Sequence, residues 1–277
     1  MEIKSQFIVL LMVIVFVFHS CEERPVTIPE FVPPSTDKVV LIEEFSGVRC
    51  PNCPAGTTEI KRLGNLFDTN LVAVAYYTKF LGQPLEESKY NFLTEEAEEL
   101  ESLIGPYLGK PAATINRIQF PSEDFRLISG TGSWQGYVEQ ELQEDSQIRL
   151  IGTVEYNDEN RNANINIRLT PARDLDGSFQ ITVLITESEI IDAQLFPNDS
   201  IAEEYEHNHV FRTFLTDVRG NNISQNLQES RTLSFDYNVE LSEEWVAENC
   251  HIVAFVEDVE DSSNRRILQA MELELIE

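Results

Sequence analysis

The stretch Val40–Ala55, VLIEEFSGVRCPNCPA, is an apolar run that breaks at a glycine and is followed by two cysteines separated by two residues. Strand-forming residues dominate the run. After the second cysteine, apolar side chains recur at a helical spacing, at Ile60, Leu63 and Phe67. The stretch therefore predicts a buried strand, a turn that carries Cys50, and a helix that starts at Cys53.

Three kinds of chemistry fit this cysteine pair. Cys50 would lie at a helix N-terminus, where free N–H groups and the helix dipole favour thiolate, and two thiols at this spacing can close a disulfide and cycle. An exported protein would equally oxidise the pair into a permanent structural bond. A zinc site needs two further ligands, and no second CxxC exists; the remaining candidates lie far along the chain, at His207, His209, Cys250 and His251. The sequence therefore leaves two interpretations of the pair open, a redox centre and a structural disulfide.

Three features favour redox chemistry. Glu44, at the end of the strand, could reach toward the second thiol and accept its proton; the adjacent Glu43 points to the opposite face, so only one of the two can do this. Pro111 stands just before an expected strand, 113–120, a position suited to a cis X–Pro bond. The run from Lys110 to Arg117 would bring basic groups near the pair and favour thiolate.

The N-terminus predicts export and lipidation. Lys4 precedes an uncharged run, Phe7–Phe18, that is too short to span a bilayer and ends just before Cys21, as in a loose lipobox. We therefore predict a lipoprotein signal peptide over 1–20 and lipidation of Cys21. The proline-rich segment 21–37 is expected to be a semi-extended tether.

The periodicity of the sequence changes near residue 147. Strand-like and helix-like segments alternate over 38–146, which predicts an α/β layer with a helical, Glu-rich insertion over 78–109. Within that insertion, Thr94 is expected to cap a helix whose apolar face runs on to Leu108. From 147 to 277 the periodicity is mostly two, which predicts an all-β immunoglobulin-like sandwich. The expected strands are 148–156, 163–169, 179–187, 209–215, 232–239, 251–258 and 266–274.

The net charge of the chain limits the classes of partner that it can bind. The formal net charge is −28, with the acidic residues spread through the chain. Such a field repels phosphate backbones and anionic lipid headgroups, so nucleic-acid binding is excluded. Contact with the membrane is expected through the N-terminal lipid alone.

The strand, Glu44-Phe45, Cys50-Pro-Asn-Cys53, the helix and a later Pro111 together resemble the thioredoxin fold over about 38–146. The resemblance implies that Cys50 attacks, Cys53 resolves the mixed disulfide, Glu44 shuttles the proton, and the Pro111 loop lines a substrate groove. Lys110 and Arg49 would flank that groove, although Arg49 and Ser46 replace the usual aromatic residues and a charged Lys110 is unusual before this proline.

More narrowly, the lipoprotein signal, "EEFSGVRCPNCPAG", "KPAATINR", "HNHVFR" and the β-rich second half are similar to the twenty-eight-kilodalton outer-membrane protein family of Bacteroidota. This resemblance implies an envelope protein, lipid-anchored at the outer membrane. The leading functional hypothesis is thiol–disulfide exchange with extracytoplasmic proteins, without a cofactor or metal. The alternative is a non-catalytic surface or adhesion protein in which the Cys50–Cys53 bond is structural and the sandwich binds a partner.

Three other features are weaker. His207-Asn-His209 beside several glutamates could hold a divalent metal, although histidines in a loop more often make hydrogen bonds. Cys250 opens an apolar strand and is expected to be a buried free thiol. Asp199-Ser200-Ile201 resembles a short O-glycosylation acceptor of Bacteroidota, and its simpler interpretation is an exposed loop.

Overall fold

The computed structural model describes residues 36–260 and 265–276. The predicted signal peptide, Cys21 and the tether up to residue 35 lie outside these residues. The helices are α1 (Cys53–Phe67), α2 (Lys79–Gly82, one irregular turn), α3 (Glu95–Ile104) and α4 (Trp134–Glu141). The strands are β1 (Val40–Ser46), β2 (Leu71–Tyr77), β3 (Ala112–Ile115), β4 (Ile128–Ser129), β5 (Ile148–Asn157), β6 (Asn162–Pro171), β7 (Phe179–Glu187), β8 (Ile190–Phe196), β9 (Ser200–His207), β10 (Val210–Phe214), β11 (Asn221–Asn222), β12 (Leu233–Glu240), β13 (Cys250–Asp258) and β14 (Arg266–Glu274).

Within the described residues, nine strands form one mixed sheet in the order β14-β13-β7-β10-β2-β1-β3-β4, with β11 beside β7. β1 and β2 are parallel, and every residue of both strands is buried, including Glu43 and Glu44 of β1. β3 joins β1 antiparallel. β10 joins β2 through the pair Val210–Ala75, so strands from both sides of residue 147 share the sheet.

Three hydrophobic clusters flank this sheet. Helices α1 and α4 cover one face of β1, β2 and β3 around Leu63 and Trp134. On the other face, α3 buries Ala97 and Leu100 against strands from both halves of the chain. The separate three-stranded sheet β12-β6-β5 alternates buried and exposed residues and packs its apolar face against β7, β13 and β14.

These features confirm the predicted fold class in its coarser form: a mostly β chain with a mixed sheet and some helices. Seven predicted strands of the second half are present within one or two residues of their expected ends. The boundary between residues 146 and 147 stays a prediction.

Several local expectations are wrong. Strand β3 ends at Ile115 instead of Phe120, because Asn116 and Arg117 both adopt positive φ. Helix α3 ends at Ile104, since Gly105 has φ 118° and leaves the helix, and Leu108 beyond it is 80% exposed. The β8–β9 hairpin, which forms a two-stranded sheet of its own, is absent from the expected strands.

Candidate functional site

The cysteine pair closes a disulfide at the start of α1. Cys50 lies in the turn after β1, where its N–H donates to the Gly47 carbonyl at 3.0 Å, and Cys53 is the first helical residue. Their Cα atoms are 5.3 Å apart. The strand, turn and helix predicted from Val40–Ala55 are therefore present, and both sulfurs stand at a helix N-terminus, which would stabilise a thiolate if the bond were reduced.

Glu44 lies beneath this turn. Its side chain points inward from β1, the residue is 1% exposed, and its Oε1 has no hydrogen-bond partner among the described residues. Burial raises the pKa of this carboxyl to about 8, against the opposing effect of the Lys110 charge. The folded protein therefore holds a proton on Glu44 through most of the neutral range.

Gly56 brings the carboxyl against the helix that carries Cys53. A Cβ atom at Gly56 would overlap Glu44 Oε1 and would lie 2.9 Å from Pro111 Cβ. Gly56 follows Cys53 by three residues, which places the two on one side of α1. The first turn of the helix, the carboxyl and Pro111 thus meet at one point.

The loop before β3 completes this meeting point. The Lys110–Pro111 peptide bond is cis, as predicted. The Lys110 ammonium donates to the Ser46 carbonyl at 2.8 Å and to the Thr78 hydroxyl, and lies 3.6 Å from Glu101 Oε1. Burial lowers the pKa of Lys110, and Glu101 partly opposes this. The ammonium therefore lies behind the site, out of contact with solvent.

The two arginines lie in different places. Arg49 is exposed, and it ties the cysteine turn to the insertion: its backbone N–H donates to the Leu81 carbonyl at 2.8 Å, and its guanidinium donates to the carbonyls of Gln83 and Pro84. Arg117 is fully buried and pairs with Glu43 at 2.7 Å and with Glu257. The expectation that Arg117 brings positive charge to the cysteines is wrong, because its guanidinium is bonded to these two glutamates.

The β8–β9 hairpin covers the pair from the other side. Gln194 Nε2 donates to the carbonyl of Cys50 at 3.1 Å, and the Leu195 N–H donates to that of Val48 at 2.8 Å. Cys50 and Cys53 are each 1% exposed. A sequence signal for the hairpin does exist: an apolar run, Ile190–Phe196, precedes the turn-forming residues Pro-Asn-Asp.

Comparison with known proteins gives the family. Residues 100–272 match the family described as outer membrane protein Omp28, which is more than half of the chain. The chain belongs to the Omp28 family. The matched region includes Pro111 and the hairpin but begins after the disulfide. Membership confirms the predicted family and the predicted location in the outer membrane of the cell envelope.

Solved structures show how far the fold of this Omp28-family chain is shared. HBP35 of Porphyromonas gingivalis is 15% identical with TM-score 0.68, over 87% of this chain and 76% of that one. AGR_C_4864 from Agrobacterium tumefaciens is 10% identical with TM-score 0.55, over 89% and 97%. A domain of the outer membrane lipoprotein Omp28 from P. gingivalis is 18% identical with TM-score 0.32, over 47% and 88%. A search of curated proteins gives no match. The first two likenesses show a shared fold.

Two negative findings apply to the described part of the chain. No helix there is long and apolar enough to cross a membrane. No group of three or more His, Cys, Asp or Glu side chains in those residues is arranged to hold a metal ion. His207 instead bonds the Tyr77 hydroxyl through Nδ1 at 2.8 Å, and burial lowers its pKa to about 4 against the opposing Asp192 charge.

The structure also places the other residues that the sequence singled out. Cys250 is a buried free thiol, as predicted, and burial raises its pKa to about 12. His209 has a pKa lowered to about 4, first by burial and then by His251. Asp199-Ser200-Ile201 lies exposed at the turn of the hairpin.

Proposed function

We propose that this Omp28-family chain is an envelope thiol–disulfide exchange protein that acts through Cys50 and Cys53 on thiols and disulfides of extracytoplasmic proteins. The proposal includes lipid attachment at Cys21 and no cofactor. A thioredoxin-like first half is supported by the parallel β1–α1–β2 unit, by antiparallel β3 and by the position of Pro111 beside Gly56 of α1. An immunoglobulin-like second half is supported by the packing of the β12-β6-β5 sheet on β7, β13 and β14.

The observation that carries the proposal is the buried carboxyl of Glu44, whose Oε1 has no hydrogen-bond partner among the described residues. Burying a polar group without a hydrogen bond costs roughly 2–7 kcal/mol, and a structural disulfide needs no carboxyl beneath it. An apolar residue at position 44 would fill the space at lower cost. A carboxyl with a pKa of about 8, against the turn that carries Cys53, is suited to exchange a proton with a thiol near neutral pH.

The chemistry starts from the reduced pair. The Cys50 thiolate attacks a client disulfide, forms a mixed disulfide and releases one client thiolate. In the fraction of molecules in which Glu44 has released its proton to solvent, a fraction that grows as pH approaches its pKa of about 8, the carboxylate takes the proton of the Cys53 thiol. The Cys53 thiolate then attacks Cys50 Sγ, so that the Cys50–Cys53 bond forms and the second client sulfur leaves. The client gains two electrons and the pair loses two; the reverse sequence oxidises a client dithiol.

A second function is favoured by one specific observation. Both cysteines are 1% exposed, which is the condition expected of a structural bond. In this alternative the chain is a non-catalytic surface or adhesion protein, and its second half binds the partner. The two candidates differ in reduction potential, because structural disulfides lie below about −300 mV and exchange centres above it.

The test follows thiolate release from the aromatic disulfide 5,5′-dithiobis(2-nitrobenzoate) by the reduced protein. Attack by Cys50 releases the first coloured thiolate and resolution by Cys53 the second. We expect Glu44→Gln to slow the second phase about a hundredfold at neutral pH, as loss of a general base does, and to leave the first phase unchanged.

Glu59→Gln is the matched control, because Glu59 lies on the outer face of the same helix and pairs with Arg62. Equal second phases in the wild type and Glu44→Gln would overturn the role of Glu44. Unreactive cysteines together with a potential below about −300 mV would overturn the exchange function and support the structural alternative.

A further inference from the structure

The Cys50–Cys53 disulfide is closed to any attacking sulfur in this structure. Exchange needs the incoming thiolate to approach along the S–S axis, so at least one sulfur must be reachable. Both cysteines are almost fully buried. The proposed exchange therefore requires part of the protein to move.

The β8–β9 hairpin is the part whose attachment suits such a movement. Its two strands pair with each other and with neither of the larger sheets. An isolated two-stranded hairpin is only marginally stable by itself, so its position depends on what lies beneath it. Ile190, at its base, packs in a small cluster with Val48 and Phe92.

The contacts that hold the hairpin down can be named. His207 on β9 is fully buried, bonds the Tyr77 hydroxyl at 2.8 Å and lies 5.0 Å from the centre of the Phe92 ring. Gln194 and Leu195 bond the carbonyls of the cysteine turn. The buried Asp192 carboxylate accepts the backbone N–H groups of Lys89 at 2.7 Å and Tyr90 at 3.1 Å, which lie in the insertion. The hairpin thus spans from the turn that carries Cys50 to the insertion.

The candidate hinges of the hairpin are the residues at its two ends. Glu189 before β8 has φ 59° and His209 after β9 has φ 55°. Side chains bridge the two ends, because Asn208 Oδ1 accepts the Glu189 N–H at 2.9 Å and Ser188 Oγ accepts the His209 N–H at 3.0 Å. Non-glycine residues are disfavoured in this left-handed region. Hinges are formed by a few residues at the ends of elements, which is where Glu189 and His209 lie.

We propose that residues 190–207 form a movable cover that swings about Glu189 and His209, and that its opening controls access to the Cys50–Cys53 bond. The purpose of this cover rests on the proposed exchange function, but its movement does not. Opening breaks the Gln194 and Leu195 bonds, the two Asp192 bonds and the bond between His207 and the Tyr77 hydroxyl, and leaves β7 and β10 in the sheet.

The first test measures how fast a small phosphine, tris(2-carboxyethyl)phosphine, reduces the disulfide in the full oxidised chain. We expect the wild-type rate to level off as phosphine increases, because opening becomes limiting. Gln194→Ala should raise that limit about tenfold, since it removes the hydrogen bonds that close the cover. Gln225→Ala, at an exposed glutamine of a distant loop, is the control and should leave the rate unchanged.

A second measurement needs no variant at the turn. We expect the hairpin amides, including that of Leu195, to exchange with deuterium together and faster than the amides of β7, and Asp192→Asn to accelerate them further. Gln194→Ala with the wild-type rate, or hairpin amides as protected as those of β7, would overturn the cover.

The double variant Gln194→Ala/Glu44→Gln separates the two proposals. Fast reduction by phosphine, with resolution by Cys53 as fast as in Gln194→Ala alone, would keep the cover and contradict the role of Glu44. A slow second thiolate phase for Glu44→Gln, with no effect of Gln194→Ala on reduction, would keep the role of Glu44 and contradict the cover.

Discussion

Glu44 shows how one buried residue can link stability to chemistry. Its carboxyl is surrounded by β1, the first turn of α1 and Pro111, and Oε1 has no partner among the described residues. The Lys110 ammonium, whose charge opposes the effect of burial, bonds Ser46 and Thr78. Burial therefore dominates, and the proton stays on the carboxyl to a higher pH than in an exposed glutamate.

This pKa predicts a pH dependence of stability. Because the pKa of Glu44 in the folded protein, about 8, exceeds the ordinary 4.5, the folded state keeps a proton that the unfolded chain has lost between these values. The free energy of unfolding should therefore fall as pH rises through this range. From pH 5 to pH 8 the wild type should lose roughly 3 kcal/mol relative to Glu44→Gln.

Urea unfolding of both proteins in the oxidised state at the two pH values measures this difference. Other titrating groups are common to both proteins and cancel. Identical changes in the two proteins would contradict a buried, neutral Glu44.

At the scale of an element, one glycine of α1 packs against the site and another glycine of the same helix does not. Gly56 faces Glu44 and Pro111, whereas a Cβ atom at Gly64 meets nothing within 4 Å. Both residues lie in the same 15-residue helix. Gly64 is therefore a control within the same helix for a substitution at Gly56.

We expect Gly56→Ala to destabilise the protein by about 1–3 kcal/mol, because the new methyl group forces Glu44 and Pro111 aside by more than the gain in helix propensity offsets. Gly64→Ala should stabilise it by up to about 1 kcal/mol, since alanine favours the helix and has room. Chemical denaturation of the two variants measures both effects, and a stabilised Gly56→Ala would show that the carboxyl does not pack against α1.

At the scale of the whole molecule, a buried ionic cluster connects the two halves of the chain. Arg117 pairs with Glu43 on β1 and with Glu257 on β13, and Arg265 pairs with the same Glu257 at 2.6 Å. The Arg117 guanidinium also lies 4.9 Å from the centre of the Phe255 ring. Four charges that are nearly or fully buried compensate one another across the sheet.

Removing one member should therefore be costly. We expect Arg117→Met to lower the free energy of unfolding by about 3–5 kcal/mol, because two carboxylates would remain buried without their shared partner. Arg168→Met, on the exposed side of β6, should change it by less than about 0.5 kcal/mol. Similar losses for the two variants would mean that the cluster does not join the halves energetically.

The sequence alone predicts the elements that depend on neighbouring residues. The strand, cysteine turn and α1 follow from periodicity over some thirty consecutive residues, and the alternation of a strand separates Glu44 from Glu43. Thr94 is recognisable as a cap, and its hydroxyl accepts the Ala97 N–H at 3.0 Å. The C-terminal strands, which alternate or form apolar runs, are recognisable for the same reason.

Only the tertiary structure decides what surrounds those elements. Four long-range contacts join residues that are at least 64 positions apart along the chain: the bond of Lys110 to Ser46, the pairing of Arg117 with Glu257, the pairing of β10 with β2, and the bond of Gln194 to Cys50. Local periodicity carries no information about such contacts, because they depend on which buried charges and backbone groups find partners when the whole sheet packs. The sequence determined that a cysteine pair stands at a helix N-terminus above a carboxyl, and packing decided that the pair is covered.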